Sequence, residues 1–338
     1  MAILMTTLKV IGASILALAG SGATYQYVAT KLDERDFPPI GRMVDIGGYK
    51  LHMIDRGISV EGQPTIVMDA GLGGDSLDWS LVQPEIAKFA RVITYDRAGY
   101  GWSDVSPLAR TSENMVVELH TMLKNASVTG QYILVGHSFG GLNVRLFAQK
   151  YPDEVVGIVL VDASHEDIYE KMQLPDMKLL SQGAWYLWFL GIPRLLLYVM
   201  TFTSSLEHNP LEKFPFELQK RLMSQRLPTK FMAAFMHEAA EFKQNCKIIQ
   251  ERAGLLGNLP LAVITVGKPM TIVDHMGMTT QDEIDEINRV WPELQADLVT
   301  KSSRGKQMIA ENSGHLVPYN QPEIIVEAVR EMVEELRK

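Results

Sequence analysis

The chain has 338 residues, 46% of them hydrophobic and 21% charged, with a formal net charge of -8 at pH 7. That length suits one large α/β domain with an insertion or two domains, and the acidic charge without a basic cluster argues against a nucleic-acid partner. A single cysteine, Cys246, excludes an intramolecular disulfide and a cysteine-based metal site, and we predict no metal and no cofactor.

The N-terminal 35 residues predict a hydrophobic leader and linker outside the fold. The apolar stretch runs from Leu8 to Val28, and its most hydrophobic part, Val10 to Ala23, has the length of a signal-peptide core. Tyr25 and Tyr27 are residue types that favour a bilayer interface, so they extend the stretch into a membrane anchor. We therefore predict a protein anchored in a membrane by this helix, with secretion after signal cleavage as the alternative.

Short apolar runs separated by turns and helix patterns predict a mostly parallel sheet flanked by helices, an α/β architecture. The core has two parts, residues 36–163 and 260–338. A closing helix begins at Glu323, and another covers Met115 to Lys124. The predicted strands are a hairpin at 43–46 and 49–55 around two glycines, then 65–69, 92–95, 132–135, 155–161, 261–266 and 307–310.

Between the two core parts, residues 164–259 lack the alternation of strands and helices. This 164–259 segment is rich in Met, Leu and aromatic residues, which predicts a helical cap over the carboxyl edge of the sheet. Its two most apolar stretches are 185–190 and 195–200. They are compatible with an acyl tunnel or a lid that touches a membrane, and equally with a pair of helices packed on the core. The membrane is therefore a predicted partner through the leader and, if the cap acts as such a lid, through the cap as well.

The sequence G-H-S-F-G at residues 136–140 follows an apolar strand and precedes a helix pattern. In that context, a serine between glycines is typical of a sharp strand-to-helix turn that exposes a nucleophilic hydroxyl. Such a turn needs neighbours without bulk, which the glycines provide. Ser138 is the predicted nucleophile.

A serine hydroxyl needs a base, and the base needs a carboxylate to orient it. Of the eight histidines, His315 follows the last predicted strand in a short Ser-Gly loop, so it is the predicted base. Two aspartates fit the chain order of serine, acid and histidine. Asp162 ends the strand after the serine and is favoured because a strand end holds a carboxylate rigidly. Asp274, in the loop after the next strand, is the alternative acid.

Two backbone N–H groups are predicted to stabilise the negative oxygen that forms when the serine attacks. One belongs to Phe139, the residue after the nucleophile. The other is assigned to Leu72 in the glycine-rich loop Gly71-Leu72-Gly73-Gly74, which follows the third strand.

Together these motifs resemble the α/β-hydrolase superfamily, in particular serine esterases and lipases that carry a cap. The resemblance covers roughly 41–162 and 259 to the C-terminus. It implies hydrolysis of esters or related acyl compounds. Family members place the acid either near Asp274 or, in some members with a cap, where Asp162 stands. Epoxide hydrolases and haloalkane dehalogenases of this fold carry an aspartate at the position of Ser138, so the serine argues against their chemistry. The segments that carry the resemblance are 69–74, 95–103, 136–140, 151–157 and the loop at 314–315.

The sequence thus predicts a serine hydrolase that cleaves carboxylic esters through an acyl-enzyme. Its predicted substrate is a small-molecule ester, with an apolar or acyl-lipid group because the 164–259 segment is apolar. The same residues are compatible with acyl transfer or lyase chemistry, and a non-catalytic receptor on this fold is a further alternative.

Overall fold

A computed structural model describes residues 2–172, 185–202, 213–271 and 280–337 of the chain. Eight strands form one sheet in the order β1-β2-β4-β3-β5-β6-β7-β8. The pairs β1–β2 and β2–β4 are antiparallel, and all other neighbours are parallel. The strands are β1 (Arg42–Asp45), β2 (Lys50–Arg56), β3 (Thr65–Asp69), β4 (Val92–Tyr95), β5 (Tyr132–His137), β6 (Val155–Val161), β7 (Leu261–Val266) and β8 (Gly305–Ala310).

Helices connect the parallel strands, as parallel pairing requires. Residues 185–189 are also helical. Short 3-10 turns occupy Ser76–Trp79 and Pro152–Glu154. The helices are α1 (Ala2–Asp36), α2 (Gln83–Ile86), α3 (Ser112–Asn125), α4 (Gly140–Lys150), α5 (Ile168–Lys171), α6 (Ile192–Phe202), α7 (Phe216–Arg226), α8 (Thr229–Arg252), α9 (Gln281–Thr300), α10 (Val317–Asn320) and α11 (Pro322–Leu336).

The central strands are buried on both faces, which explains their continuous apolar sequence. Along β5, Leu134 packs into one core with α3, α4 and α9, whereas Ile133 and Val135 pack into a second core with α2 and α11. The sheet therefore lies between two helical layers. The hairpin is closed by the Ile46 amide, which donates to the Tyr49 carbonyl at 2.9 Å.

The parallel strands end at one edge, and this edge carries the loops that matter below. In the β5–β6 pair His137 lies opposite Val161, so Ser138 and Asp162 are the next residue on each of two neighbouring strands. The predicted bounds of β3, β4, β6 and β7 match the structure. β5 continues two residues further, to His137, and β8 begins two residues earlier, at Gly305.

Helix α1 differs in its two halves. From Ile3 to Leu18, its large apolar side chains are 50–83% exposed. Further along, Gln26 is buried and its amide donates to the Leu227 carbonyl at 2.6 Å. The leader is therefore packed against the 164–259 segment along its second half, where the sequence predicted a segment outside the fold. Close packing is possible because Gly22 has no side chain: a Cβ there would lie 2.7 Å from the Leu190 carbonyl oxygen.

Candidate active site

Ser138 occupies the sharp turn between β5 and α4. Its φ is +51°, a left-handed conformation that is strained for a serine. The turn closes only around glycines, because a Cβ on Gly140 would lie 2.4 Å from the Asp69 carbonyl oxygen, and one on Gly136 would lie 2.7 Å from the Gly140 carbonyl oxygen. The Ser138 amide donates to Val161 at 3.1 Å, and this bond fixes the turn to the end of β6. The serine side chain remains partly accessible.

Asp162 is fully buried beside this turn, at the end of β6. Its φ is +41°, and its amide donates to the Ile264 carbonyl at 2.7 Å. One carboxylate oxygen, Oδ1, accepts a hydrogen bond from the Trp291 indole at 2.8 Å. The other, Oδ2, lies 2.6 Å from Nδ1 of His315. Both oxygens of the carboxylate therefore have a partner, and its orientation is fixed by β6, β7 and α9.

His315 lies in the loop between β8 and α10 and connects the two residues above. Its Nε2 lies 3.0 Å from the Ser138 hydroxyl oxygen, while Nδ1 faces Asp162. Because the carboxylate can only accept, Nδ1 is the protonated nitrogen and Nε2 is free to accept from the serine. The structure thus brings Ser138, His315 and Asp162 together in a continuous chain of hydrogen bonds. Asp274, the alternative acid, lies outside the described residues.

His137, next to the serine, makes a further contact at this site. Its Nε2 donates to the carbonyl oxygen of His315 at 2.9 Å and thereby ties the histidine loop to the turn. Burial lowers the pKa of His137 to about 3, and the nearby His315 ring adds to the effect. The ring is therefore neutral at ordinary pH, with its proton on Nε2, the nitrogen that donates in this hydrogen bond.

The loop after β3 contacts the serine from the opposite side. A Cβ on Gly71 would lie 3.2 Å from the Cβ of Ser138, so the backbone of this loop approaches the nucleophile closely. Among the residues that the structure describes, the amides of Leu72 and Phe139 have no acceptor. Phe139 immediately precedes helix α4, whose N-terminal amides carry a partial positive charge. Phe139 directly follows Ser138, and Leu72 directly follows Gly71, so both predicted donors belong to segments that border the serine.

A buried arginine, which sequence analysis missed, holds this loop in place. Arg97 donates to the carbonyl oxygens of Ala70 at 2.6 Å and Gly71 at 2.7 Å. Its charge is balanced by Asp69 at the end of β3 and by Glu238 on α8, both almost fully buried. The sequence signal for this arginine is its place in the Asp-Arg-Ala-Gly motif after β4, but its partner Glu238 is 141 residues away.

Apolar side chains from the 164–259 segment lie against Leu72. Phe231 and Phe235 of α8 form a buried cluster with Tyr100, and Trp185 and Trp188 pack on it. The phenyl ring of Phe235 comes so close that a Cβ on Gly73 would lie 3.1 Å from it. The loop that carries the Leu72 amide therefore borders an apolar region.

Metal binding has no support in the geometry of the described part of the chain. There, no group of three or more His, Cys, Asp or Glu side chains is placed to hold a metal ion. Cys246 is buried, and burial raises the pKa of its thiol to about 12.

Comparison with known proteins identifies the fold. A family model described as the alpha/beta hydrolase fold matches residues 64–322. The uncharacterized protein YqjL of Bacillus subtilis (strain 168) is 25% identical over 261 residues, which cover 77% of this chain and 80% of YqjL. A thermophilic esterase from Thermogutta terrifontis superposes with a TM-score of 0.60 at 21% identity, covering 88% of this chain and 99% of the esterase.

The epoxide hydrolase CorEH superposes equally well, with a TM-score of 0.60 at 17% identity over 87% of this chain and 98% of CorEH. An esterase and an epoxide hydrolase share the fold to the same extent, so structural similarity does not select the chemistry. The family match covers most of the chain and agrees with the sheet topology and with the serine turn after β5. The chain belongs to the α/β-hydrolase fold family.

Proposed function

We propose that this protein is a serine hydrolase that cleaves carboxylic esters, with Ser138 as nucleophile, His315 as base and Asp162 as the orienting acid. The observation that carries the proposal is the hydrogen-bonded chain Ser138–His315–Asp162, with distances of 3.0 and 2.6 Å. A nucleophile within reach of a base that is itself oriented by a carboxylate is the arrangement that activates a serine.

In the proposed reaction, Ser138 Oγ attacks the carbonyl carbon of the ester and its proton passes to Nε2 of His315. The amides of Leu72 and Phe139 donate to the carbonyl oxygen as it becomes negative. The carbon–alcohol oxygen bond then breaks, and His315 returns its proton to the departing alcohol. A water molecule then gives a proton to His315 as its oxygen attacks the acyl-serine. The acyl–Oγ bond breaks, His315 returns the proton to Ser138 Oγ, and the acid is released. Asp162 stabilises the imidazolium in both steps and stays ionised.

The proposed substrate is an ester with an apolar acyl group or an acyl-lipid. This proposal rests on the aromatic cluster of α8 and residues 185–189, which borders the Leu72 loop. Apolar walls with a few placed polar groups are typical of sites that bind apolar ligands.

Epoxide hydrolysis is the chemistry of a structural neighbour, and the nucleophile separates it from the proposal. The resemblance described above gives those enzymes an aspartate at the turn, whereas this chain has Ser138. A serine ester intermediate is released by water activated at the same histidine, so the residues present suffice for ester hydrolysis. A non-catalytic receptor needs no activated serine, and the test below distinguishes it.

We also propose that α1 anchors the protein in a membrane. Within the described residues, this is the one helix long and apolar enough to cross a bilayer. A crossing needs about 20 apolar residues, which the exposed first half and the beginning of the packed half provide together. A cleaved signal sequence is the alternative, and the mass of the protein recovered from cells separates the two.

Replacing Ser138 by Ala tests the mechanism directly. We expect Ser138→Ala to lower turnover of a chromogenic ester by at least about 10³-fold, because the nucleophile is removed. Reaction with a fluorophosphonate, followed by intact mass, is expected to label the wild type at one site and to leave this variant unlabelled.

The matched control is Ser164→Ala. Ser164 lies close by and donates only its backbone amide to the Ser138 carbonyl, at 2.9 Å, so alanine preserves that contact. Wild-type turnover in Ser164→Ala is expected. Undiminished turnover in Ser138→Ala, or absence of fluorophosphonate labelling of the wild type, would overturn the proposal.

A further inference from the structure

The 164–259 segment carries an exposed apolar surface between residues 185 and 197. Tyr186, Leu187 and Phe189 are 64%, 46% and 41% exposed, and Leu195 and Leu196 on α6 are 55% and 56% exposed. Isolated exposed apolar residues are ordinary, whereas a group of them within one short segment favours a surface that binds something. These five residues lie on either side of Gly191.

Gly191 is also where helix α1 contacts this surface. A Cβ on Gly191 would lie 2.9 Å from the Tyr25 ring, and the Gln26 side chain accepts from Arg194 at 3.2 Å. Arg194 also pairs with Asp33, about two turns further along α1. The apolar surface is therefore attached to α1 between residues 22 and 33, and its position along that helix is fixed.

The length of α1 places this contact relative to a bilayer. At 1.5 Å per residue, 35 residues extend about 52 Å, well beyond a hydrocarbon core of about 30 Å. From Val10, just after Lys9, to Val28, before Lys31, the helix covers about 28 Å without a charged residue. The bilayer boundary then falls at Tyr25 to Val28, the level at which α1 touches Gly191.

We propose that residues 185–197 insert their apolar side chains into the membrane leaflet at this boundary, and that the ester reaches Ser138 from that leaflet. The occupant is a lipid bilayer, because the surface continues a helix that can itself cross one. Trp185 and Trp188, which adjoin the exposed residues in sequence, pack on the cluster that Leu72 also contacts, so apolar side chains connect this surface to the Leu72 loop. The proposal rests on the proposed function and narrows its substrate to a membrane-dissolved ester.

The linker supports a fixed orientation of the catalytic domain. Trp102 donates to the Phe37 carbonyl at 2.9 Å, Arg221 donates to Pro38 at 3.0 Å, and the Gly41 amide donates to His52 at 3.0 Å. The chain between α1 and β1 is therefore bonded to the rest of the protein, so that the surface at 185–197 faces the bilayer whenever α1 crosses it.

Insertion is measured first by depth-dependent quenching. The buried Cys246 thiol is protected from maleimide, so Leu195→Cys introduces one reactive site for an environment-sensitive dye in the full chain. In phosphatidylcholine vesicles, we expect a blue shift and quenching by doxyl-labelled lipid. Leu255→Cys is the control, because Leu255 is 73% exposed and lies between α8 and β7. Equal spectra and equal quenching at the two positions would overturn insertion.

Access from the membrane is measured with two esters. The double variant Leu195→Glu/Leu196→Glu is expected to hydrolyse a long-chain fluorogenic ester in vesicles at least tenfold more slowly than wild type. Its hydrolysis of soluble p-nitrophenyl acetate and its Tm are expected to match those of wild type, and Leu255→Glu is expected to match wild type on both esters. Equal rates of the double variant and wild type on the vesicle ester would refute access from the leaflet.

Failure of the proposed function gives a different result. In that case the wild type hydrolyses neither ester and Ser138 is not labelled by fluorophosphonate. The proposed access route is then overturned together with the proposed hydrolase function. The quenching experiment decides insertion independently, since it needs no turnover.

Discussion

Ser138 and Asp162 are neighbours across the sheet and share an uncommon backbone conformation, with φ values of +51° and +41°. A left-handed conformation in a residue other than glycine costs about 1–3 kcal/mol, and it persists where surrounding contacts impose it. Here the amides of both residues donate to carbonyls of the adjacent strand. The strain turns both side chains out of the strand direction and toward the same histidine.

The acid can be assigned by replacing each aspartate in turn. We expect Asp162→Asn to lower kcat by about 10⁴-fold with little change in KM, because an amide at this position favours the wrong tautomer of His315. Asp274→Asn is the matched variant. Its kcat is expected to stay within about twofold of wild type, a change much smaller than the one that loss of a catalytic interaction causes. The reverse pattern in steady-state kinetics would assign the acid to Asp274.

The lowered pKa of His137 predicts that the stability of the folded protein depends on pH. Its pKa in the folded state is about 3, below the ordinary value of 6.5, so between these values the unfolded chain binds a proton that the folded protein does not. The contribution to stability is therefore complete above pH 6.5 and decreases as the pH falls toward 3, by up to about 1.4 kcal/mol per pH unit.

The test is the free energy of urea unfolding, measured in detergent at several pH values. His137→Gln keeps an N–H donor but does not titrate, so a shallower slope between about pH 4 and 6 is expected. His237→Gln, at an exposed position on α8, serves as control and is expected to retain the wild-type slope. Identical slopes in all three proteins would contradict the role of His137.

At the scale of elements, helix α8 is joined to the loop after β3, which carries Leu72, by a buried ion pair. Glu238 contacts Arg97 with both carboxylate oxygens at 2.9 Å, and Arg97 holds the carbonyls of Ala70 and Gly71. Because the carbonyls are held, the following Leu72 amide has a fixed direction. The position of a helix in the 164–259 segment is thereby coupled to a proposed oxyanion donor.

Glu238→Gln is expected to affect stability and turnover together. A buried arginine that loses a charged partner destabilises the fold by about 3 kcal/mol, and a displaced Leu72 amide lowers kcat about tenfold or more with KM little changed. Glu166→Gln is the control, because the Arg145–Glu166 pair is also buried, and among the described contacts neither residue pairs with Glu238 or with the loop after β3. It should lower Tm without lowering kcat; an equal loss of kcat in both variants would reduce Glu238 to a structural role.

The sequence predicted the strands of the sheet closely, but it did not predict the coupling of α8 to the Leu72 loop through Arg97 and Glu238. β3, β4, β6 and β7 are short, largely buried runs of mainly apolar residues, and such runs favour a central parallel strand locally. The candidate nucleophile and base were likewise marked by local glycine-containing turns. The Arg97–Glu238 pair and the His137–His315 bond join residues 141 and 178 positions apart, and a single sequence carries no local pattern for such pairs.

At the scale of the whole molecule, α1 is both a candidate membrane helix and a packed element. Its contact with residues 190–191 depends on two glycines, Gly22 and Gly191, and its polar contacts use Gln26 and Asp33. The sequence indicated the apolar stretch but not this packing, since a run of small and apolar residues is equally compatible with lipid on all sides.

Two glycines on α1 provide a matched test of the packing. A Cβ at Gly22 would lie 2.7 Å from the Leu190 carbonyl oxygen, whereas one at Gly20 meets nothing within 4 Å. Gly22→Val is therefore expected to separate α1 from residues 190–191 and to increase protease cleavage near 185–197 in detergent micelles. Gly20→Val is expected to match wild type. Equal cleavage of the two variants would contradict the packing.

The hydrogen bond from His137 to the His315 carbonyl has a consequence for how binding energy is used. It joins the serine turn to the histidine loop through protein groups, so the site is preorganised and substrate need not assemble it. Energy released when an acyl chain enters the apolar region is then available to stabilise the transition state. In an ester series, longer acyl chains should therefore raise kcat as well as lower KM, up to the length that the apolar region accommodates.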